Sequence, residues 1–348
     1  MIPEPPRTLR LRFDREALAA NWRALDRLSG SASTGAAVKA DGYGLGVDRV
    51  VPTLREAGCE TFFVAHWSEV EPVLRHVPPR QVTVLHGPLC AEDVAFARET
   101  GVRPVINSLF QARLWIEGGG GSCDLMLDTG INRLGLPPSE IGDPQVAKLQ
   151  VETVMSHLAS ADEDSVMNSR QLALFDELSQ HVRHRRRSLA NSAGIALGGA
   201  YASDLTRPGL ALYGGVPRPE LAGHIRQVAH PQAAVIQLRE LSPGDSVGYN
   251  ATWTAEQPTR AATVSLGYAD GFLRCWSGRG ALRLGETALP LLGRVSMDMV
   301  VVDCTAAPDL REGDWLDIPF DLPAAAQRCE LSQYELLTTL GDRFKFVS

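Results

Sequence analysis

From about residue 30 the chain repeats one rhythm: a short apolar run, a turn, then a segment whose apolar residues recur at helical spacing. Before that, residues 7–13 alternate apolar and polar positions like a strand. Asp14 then caps a predicted helix over 15–28, with Leu18, Trp22 and Leu25 on one face. Apolar runs at 36–39, 62–65, 82–86, 103–106, 123–128, 153–157, 188–191 and 205–207 read as strands. Helical patterns lie between them, for example at 69–76, 92–100 and 168–182. Eight strand–helix units in about this length is the arithmetic of a (β/α)8 TIM-type barrel, an α/β fold. A doubly wound open sheet has the same local rhythm, because a count of strands does not establish closure.

After about Gly215 the rhythm changes. Pro217, Pro219 and Pro231 mark a linker, and strands then follow without helices between them, at 233–241, 261–265, 281–284, 289–295 and 300–304. Turn signals such as Ser242-Pro243-Gly244-Asp245 and Glu312-Gly313-Asp314 separate them. The pattern predicts an all-β C-terminal domain with a short helix near 331–340. The expected division is a barrel over 10–220 and a β-strand domain over 221–348, with residues 1–9 packing on the β domain.

The 348 residues suit two domains at ~100–200 residues each. A hydrophobic fraction of 44% and a net charge of −7 leave no basic domain, so neither nucleic acid nor an anionic membrane is expected as partner. The basic string His181-Val182-Arg183-His184-Arg185-Arg186-Arg187 reads as a solvated helix end before the next strand. No apolar run is long enough to span a bilayer. The first residues hold prolines and arginines instead of a signal-peptide core. Cys59, Cys90, Cys123, Cys275, Cys304 and Cys329 are scattered, which argues against a disulfide framework or zinc site and points to a cytoplasmic protein without a metal.

Candidate chemistry gathers at the predicted carboxyl ends of the barrel strands, where barrel enzymes place their sites. Lys39 ends the first, Asp128-Thr129-Gly130-Ile131-Asn132-Arg133 follows the fifth, and His157 ends the sixth. Asn191-Ser192 follows the seventh and Arg207-Pro208-Gly209-Leu210 the eighth. Burial disfavours a charged amine and lowers its pKa, so Lys39 among apolar neighbours is suited to attack an aldehyde and form a Schiff base. The glycines at 42, 44 and 46 let backbone N–H groups approach a phosphate. Each residue alone also has a bland explanation: a lysine snorkelling at a strand end, a core histidine, an N-cap, a structural arginine. Their recurrence on one rim favours the functional reading.

The string Ala36-Ala37-Val38-Lys39-Ala40-Asp41-Gly42-Tyr43-Gly44-Leu45-Gly46 closely resembles the pyridoxal-phosphate lysine motif of alanine racemases. Val247-Gly248-Tyr249-Asn250, Gly267-Tyr268-Ala269-Asp270-Gly271 and Gly293-Arg294-Val295-Ser296-Met297-Asp298 extend the resemblance through the second domain. It implies a fold-type III enzyme that binds pyridoxal 5'-phosphate, racemises alanine to supply D-alanine for peptidoglycan, and forms a homodimer with composite active sites. Lys39 resembles the cofactor lysine and one catalytic base. Tyr249 resembles the opposing base, supplied across the dimer. Tyr43, Ser192, Gly209 and Leu210 resemble the phosphate cradle. Arg207 resembles the arginine facing the pyridine nitrogen, and His157 the ring beside it. The Arg207–His157 pair would then provide the positive field that a phenolate base needs. Arg133 resembles the arginine near the cofactor's phenolic oxygen and the substrate carboxylate. Met297 and Asp298 resemble substrate contacts, and Tyr268 the tyrosine gating the entry channel.

Two positions depart from the family pattern. Met126 stands where many members carry a carbamylated lysine that orients the arginine equivalent to Arg133, which leaves Arg133 to another anion such as chloride. Asp342 precedes Arg343 where a phosphate-reaching tyrosine is common. A fold-type III decarboxylase would share the Lys39 strand but carry a cysteine-centred motif in place of Tyr249 and Ser296-Met297-Asp298. A racemase of serine or of a broader amino-acid set is the nearer alternative, although such relatives are typically exported. A non-enzymatic pyridoxal-phosphate carrier would leave the β domain unexplained.

Overall fold

A strand buried on both faces reads as a continuous apolar run, and one with a wet face alternates. In the computed structural model, which describes residues 5–347, Phe62–Val64 and Val82–Val84 are buried at every position. Seven parallel strands pair in chain order: Ala36–Ala37, Phe62–Val64, Val82–Val84, Arg103–Ile106, Ser122–Met126, Gln150–Met155 and His184–Ser188. The register sets Ala36 opposite Phe62 and Phe62 opposite Val82. The eighth strand, Leu205–Thr206, pairs in parallel with Ser33–Thr34, just ahead of the first. On its other side Asp204 and Arg207 donate backbone N–H groups to the carbonyls of Arg187 (3.1 Å) and Ala190 (2.8 Å). The sheet therefore closes as an eight-stranded barrel, not the open alternative. Gly35 sits in this seam; a Cβ there would meet Phe63 Cε2 at 2.8 Å and the Thr61 carbonyl at 3.0 Å.

The seventh strand corrects two sequence expectations. It runs over His184–Ser188 instead of 188–191, so the basic string expected as a helix end supplies the strand itself. Neighbours neutralise its arginines. Arg185 and Arg186 face Glu152 at 3.6 and 3.9 Å. Arg187 ion-pairs with Asp176 and lays its guanidinium 4.9 Å over the Phe175 ring. Within the barrel, buried Asp124 accepts from Thr83 Oγ1 (3.1 Å) and Thr153 N–H (3.0 Å). Burial raises its carboxyl pKa, and Arg103 opposes that shift.

The chain divides into two compact units, Arg15–Arg226 and a second made of residues up to Asp14 with those from Gln227 onward. The pattern suggests limits of 10 and 220, but Leu9–Phe13 pairs antiparallel with Ala229–Leu241 in the β unit. Of the expected packing of residues 1–9, residues 1–4 lie outside the described residues. Six antiparallel strands of the β unit form a ring in the order Thr259–Val264, Val300–Asp303, Thr287–Leu292, Ala281–Leu284, Trp315–Asp317 and Ala229–Leu241, the last pairing back to the first. Ala229–Leu241 serves both sides because a bulge between Val235 and Gln237 bends it. The unit is not purely β: it carries the short helices Leu322–Cys329 and Gln333–Thr338.

Candidate active site

The first strand ends two residues before Lys39, and the backbone then does something the glycine pattern only half announces. Ala40, Asp41, Gly42 and Tyr43 all have positive φ, at 53°, 51°, 63° and 57°. They form one turn of left-handed helix, and the right-handed helix starts only at Val47. Gly42 adopts this conformation freely; each of the other three costs roughly 1–2 kcal/mol. Asp41 offsets part of that cost: its Oδ1 accepts Val47 N–H (2.8 Å) and its carbonyl accepts Gly46 N–H (2.8 Å). The turn sends Tyr43 inward, where its ring stacks on Tyr213 at 4.6 Å. Tyr213 is fixed in turn by donating its hydroxyl to the Ala37 carbonyl at 2.8 Å.

Tyr43 faces the loop after the eighth strand. A Cβ built on Gly209 would fall 2.2 Å from the Tyr43 hydroxyl. Ser192 draws the same loop in from the seventh strand: its buried Oγ accepts Gly209 N–H (3.0 Å) and Ala211 N–H (3.1 Å). Leu210 is buried and opens the 3-10 turn Leu210–Tyr213.

Nitrogen bases converge beside this cradle. Arg207 is buried, and one guanidinium nitrogen donates to Ser188 Oγ while the other reaches the Ser156 carbonyl at 2.5 Å. Its pKa is lowered to about 10 by burial, with Asp124 acting the other way. Both hydrogen-bond partners are neutral, and no carboxylate among the described residues ion-pairs with Arg207. His157 has its pKa pushed down to about 3 by burial and by Arg207, Arg133 and Lys39. It is therefore neutral at physiological pH. That corrects the expectation of a shared Arg207–His157 field: the positive charge belongs to the arginines. Arg133 is exposed, with no hydrogen-bond or ion-pair partner among the described residues. Lys39 is half-buried, and burial together with Arg133 lowers its pKa while Glu69 raises it. Met126 is buried, with its Cγ near Gly135, and offers Arg133 no charge.

Sequence reasoning missed several residues around this rim. Glu69, His66 and His86 follow the second and third strands. The two imidazoles meet edge to face at 4.2 Å, and burial, His66 and Lys39 lower the His86 pKa. Ser156, Thr129 and Gln171 form a buried chain under His157: Ser156 Oγ lies 2.8 Å from Thr129 Oγ1, and Gln171 Nε2 donates to Thr129 Oγ1 (3.1 Å) and the His157 carbonyl (2.9 Å). Thr129 and Ser156 follow strand ends, which was the available signal, whereas Gln171 lies inside the helix Val166–Ser179 and gave none.

Tyr249, Tyr268, Met297 and Asp298 lie in the β unit. Tyr249 is 70% exposed, on a loop where Gly248 and Asn250 have φ of 74° and 65°. Met297 is 53% exposed, and its carbonyl accepts Ala269 N–H at 3.1 Å. The two loops approach so closely that a Cβ on Gly267 would fall 2.1 Å from the Met297 carbonyl oxygen. Tyr268 packs under Arg274, 5.5 Å from the ring centre. Asp298 binds Arg343 at 2.7 Å, and Arg343 also forks onto buried Asp270 at 2.6 and 2.8 Å. Among the described residues, no cluster of His, Cys, Asp and Glu could hold a metal ion. No helix there is long and apolar enough to cross a membrane.

Known proteins share this fold. Residues 13–217 match the family model for the alanine racemase N-terminal domain, and residues 228–348 that for the C-terminal domain. An alanine racemase of Methylobacterium nodulans is 42% identical, with 96% of this chain and 94% of that protein covered. One from Brucella abortus is 38% identical, with 96% and 92% covered. Among solved structures, alanine racemase from Bartonella henselae with covalently bound pyridoxal phosphate is 32% identical. It has a TM-score of 0.92, with 98% and 99% of the two chains covered. The biosynthetic alanine racemase of Pseudomonas aeruginosa is 31% identical, with a TM-score of 0.90 and 99% and 100% covered.

Proposed function

The chain belongs to the alanine racemase family, and from that premise we propose that it holds pyridoxal 5'-phosphate on Lys39 and interconverts L- and D-alanine with two bases, Lys39 and Tyr249 of the partner subunit. The observation that carries the reading is the meeting of Lys39, Arg133, His157 and Arg207 beside the Tyr43–Ser192–Gly209 cradle. The donor set fits the cofactor. Arg207 is a buried cation whose own partners are neutral, and Arg133 is an open cation; both suit an anionic ligand. Gly209 leaves room at the Tyr43 hydroxyl that any side chain would fill. When bound, the cofactor supplies an electron-withdrawing ring that acidifies the α-proton of the amino acid.

The chain's own residues do the rest. The depressed pKa of Lys39 leaves more neutral amine, which is the form that attaches covalently to an aldehyde and accepts a proton. Arg207 cannot give up its proton to a pyridine nitrogen near neutral pH, so it donates a hydrogen bond while staying charged. Neutral His157 serves as a hydrogen-bonding ring and not as a cation. Racemisation removes a proton from one face and returns one to the other, so it needs a second base opposite Lys39. Tyr249, exposed on a loop built from left-handed residues, is suited to reach a neighbouring chain. A phenol, ordinarily near pKa 10, becomes a base only near positive charge, and the two arginines are the source. Met297 and Asp298 contact the substrate and Tyr268 gates its entry in this reading, which makes the working protein a homodimer that supplies D-alanine for peptidoglycan in the cytoplasm.

Borohydride trapping followed by mass spectrometry should place the cofactor on Lys39, and Lys39→Ala should abolish the adduct. Tyr249→Phe should suppress α-proton exchange from one alanine enantiomer far more than from the other. An adduct on another lysine, or an equal mild loss for both enantiomers, contradicts the assignment. A D/L assay across small amino acids, serine included, fixes the substrate.

A further inference from the structure

Building on that reading, we propose that Glu69 is a positioning residue for Lys39, tying the backbone just after the lysine to the end of the second barrel strand and setting the charge the amine carries. The geometry is specific. Glu69 Oε1 accepts the Ala40 N–H at 2.6 Å. Oε2 accepts the Ala65 N–H at 2.7 Å and the His66 N–H at 3.1 Å. One carboxylate thus satisfies donors from two neighbouring strand ends, and Ala40 is the first residue of the left-handed turn. Three non-glycine residues in that conformation persist only where the surroundings over-determine them. Asp41 anchors the far end of the turn at Val47, and Glu69 anchors the near end, beside Lys39.

The same carboxylate is the anion acting on the amine. Burial and Arg133 disfavour a charged Lys39, and Glu69 opposes them. The remaining groups on the rim, His86 and His157, each couple to Lys39 and bring no negative charge. Glu69 therefore holds Lys39 where half-burial would otherwise drive it further toward the neutral form. The amide of glutamine has one acceptor oxygen in place of two. It can serve Ala40 or the Ala65–His66 pair, but not both, and it brings no charge.

The chain has three lysines, Lys39, Lys148 and Lys345, so reductive methylation with 13C-formaldehyde gives three side-chain NMR signals, and Lys39→Arg identifies the one that matters. In the full-length chain freed of cofactor, Glu69→Gln should move the Lys39 titration down by on the order of one pH unit and leave Lys148 and Lys345 where they were. In the loaded enzyme, the acidic limb of kcat/KM should move in the same direction. If Lys39 titrates alike in wild type and E69Q, the proposal is overturned. Should E69Q fail to fold, Glu69→Asp decides. The shorter carboxylate keeps the charge but not the reach, so Lys39 should titrate near wild type while hydrogen exchange at the Ala40 amide quickens; unchanged exchange overturns the proposal. Failure of wild type to capture pyridoxal phosphate on Lys39 would instead refute the functional reading, and the titration would still decide the role of Glu69.

Discussion

Gly209→Ala replaces a hydrogen by a methyl group at the tightest point of the cradle. The backbone there has φ −130°, outside the left-handed region, so the cost considered is the steric clash. The new Cβ would fall 2.2 Å from the Tyr43 hydroxyl, 2.9 Å from Tyr43 Cζ and 3.4 Å from Ala37 Cβ. Tyr43 cannot simply swing away, because its ring is buried against Tyr213, which is itself bonded to the Ala37 carbonyl. Overpacking of this kind costs typically about 1–3 kcal/mol. At roughly 2–4 °C per kcal/mol for a domain of this size, the melting temperature should fall by about 2–12 °C. In the proposed cofactor site, displacing the Tyr43 hydroxyl would also remove one hydrogen bond to a charged ligand, worth about 1.5–3 kcal/mol, or about 10- to 150-fold in cofactor Kd. Thermal unfolding of the cofactor-free chain measures the first effect and titration with pyridoxal phosphate the second. Tyr43→Phe in the same chain removes the 2.2 Å contact and leaves the 2.9 Å one, so the double variant should regain part of the stability without regaining affinity. Wild-type melting and wild-type affinity in Gly209→Ala would refute the argument, since both follow from one clash.

Three further outcomes follow from the geometry. The His157 pKa is about 3 in the fold against ~6.5 unfolded, so between those values the unfolded chain binds the extra proton and stability falls as pH falls, by up to about 1.4 kcal/mol per pH unit; denaturant midpoints should show a shallower acid slope in His157→Asn, and equal slopes would contradict the shift. Arg343→Ala removes a half-exposed partner from the buried Asp270 carboxylate and should cost about 1.5–3 kcal/mol, with Asp270→Asn in the same chain recovering part of it; unfolding curves unchanged by Arg343→Ala would count against that ion pair. Because the Met126 thioether cannot be carbamylated, turnover in degassed buffer should be indifferent to added bicarbonate, and a strong bicarbonate requirement would show that the residue's chemistry is misread.

The barrel rhythm was legible because its strands are covered on both faces: Val82–Val84 is all buried, so hydrophobicity alone marks it. His184–Ser188 was illegible for the opposite reason, since its arginines are neutralised by Glu152 on the preceding strand and Asp176 on the preceding helix, pairings that only the fold brings about. Closure rests on two-residue strands and single backbone bonds, which leave no pattern. At Lys39 the glycines announced a tight turn, but nothing in Ala40, Asp41 or Tyr43 advertises left-handed backbone. The roles assigned to site residues came from family resemblance and not from periodicity. Glu69 escaped both, because its importance lies in which N–H groups its carboxylate receives.

The barrel seam also sets an order of events during synthesis. Thr206 meets Thr34, 172 positions earlier in the chain. At about 5–20 residues per second, Ser33–Thr34 waits roughly 10–35 s on the ribosome before its partner is made. Through that interval Ser33–Thr34 is an open edge with unspent donors and acceptors, the kind of template that recruits other chains. Lys39 already exists then, whereas the Gly209–Leu210 loop does not. Pyridoxal phosphate captured through both sides of the cradle would thus report completed closure, and a ribosome-bound chain halted before residue 205 should capture it poorly.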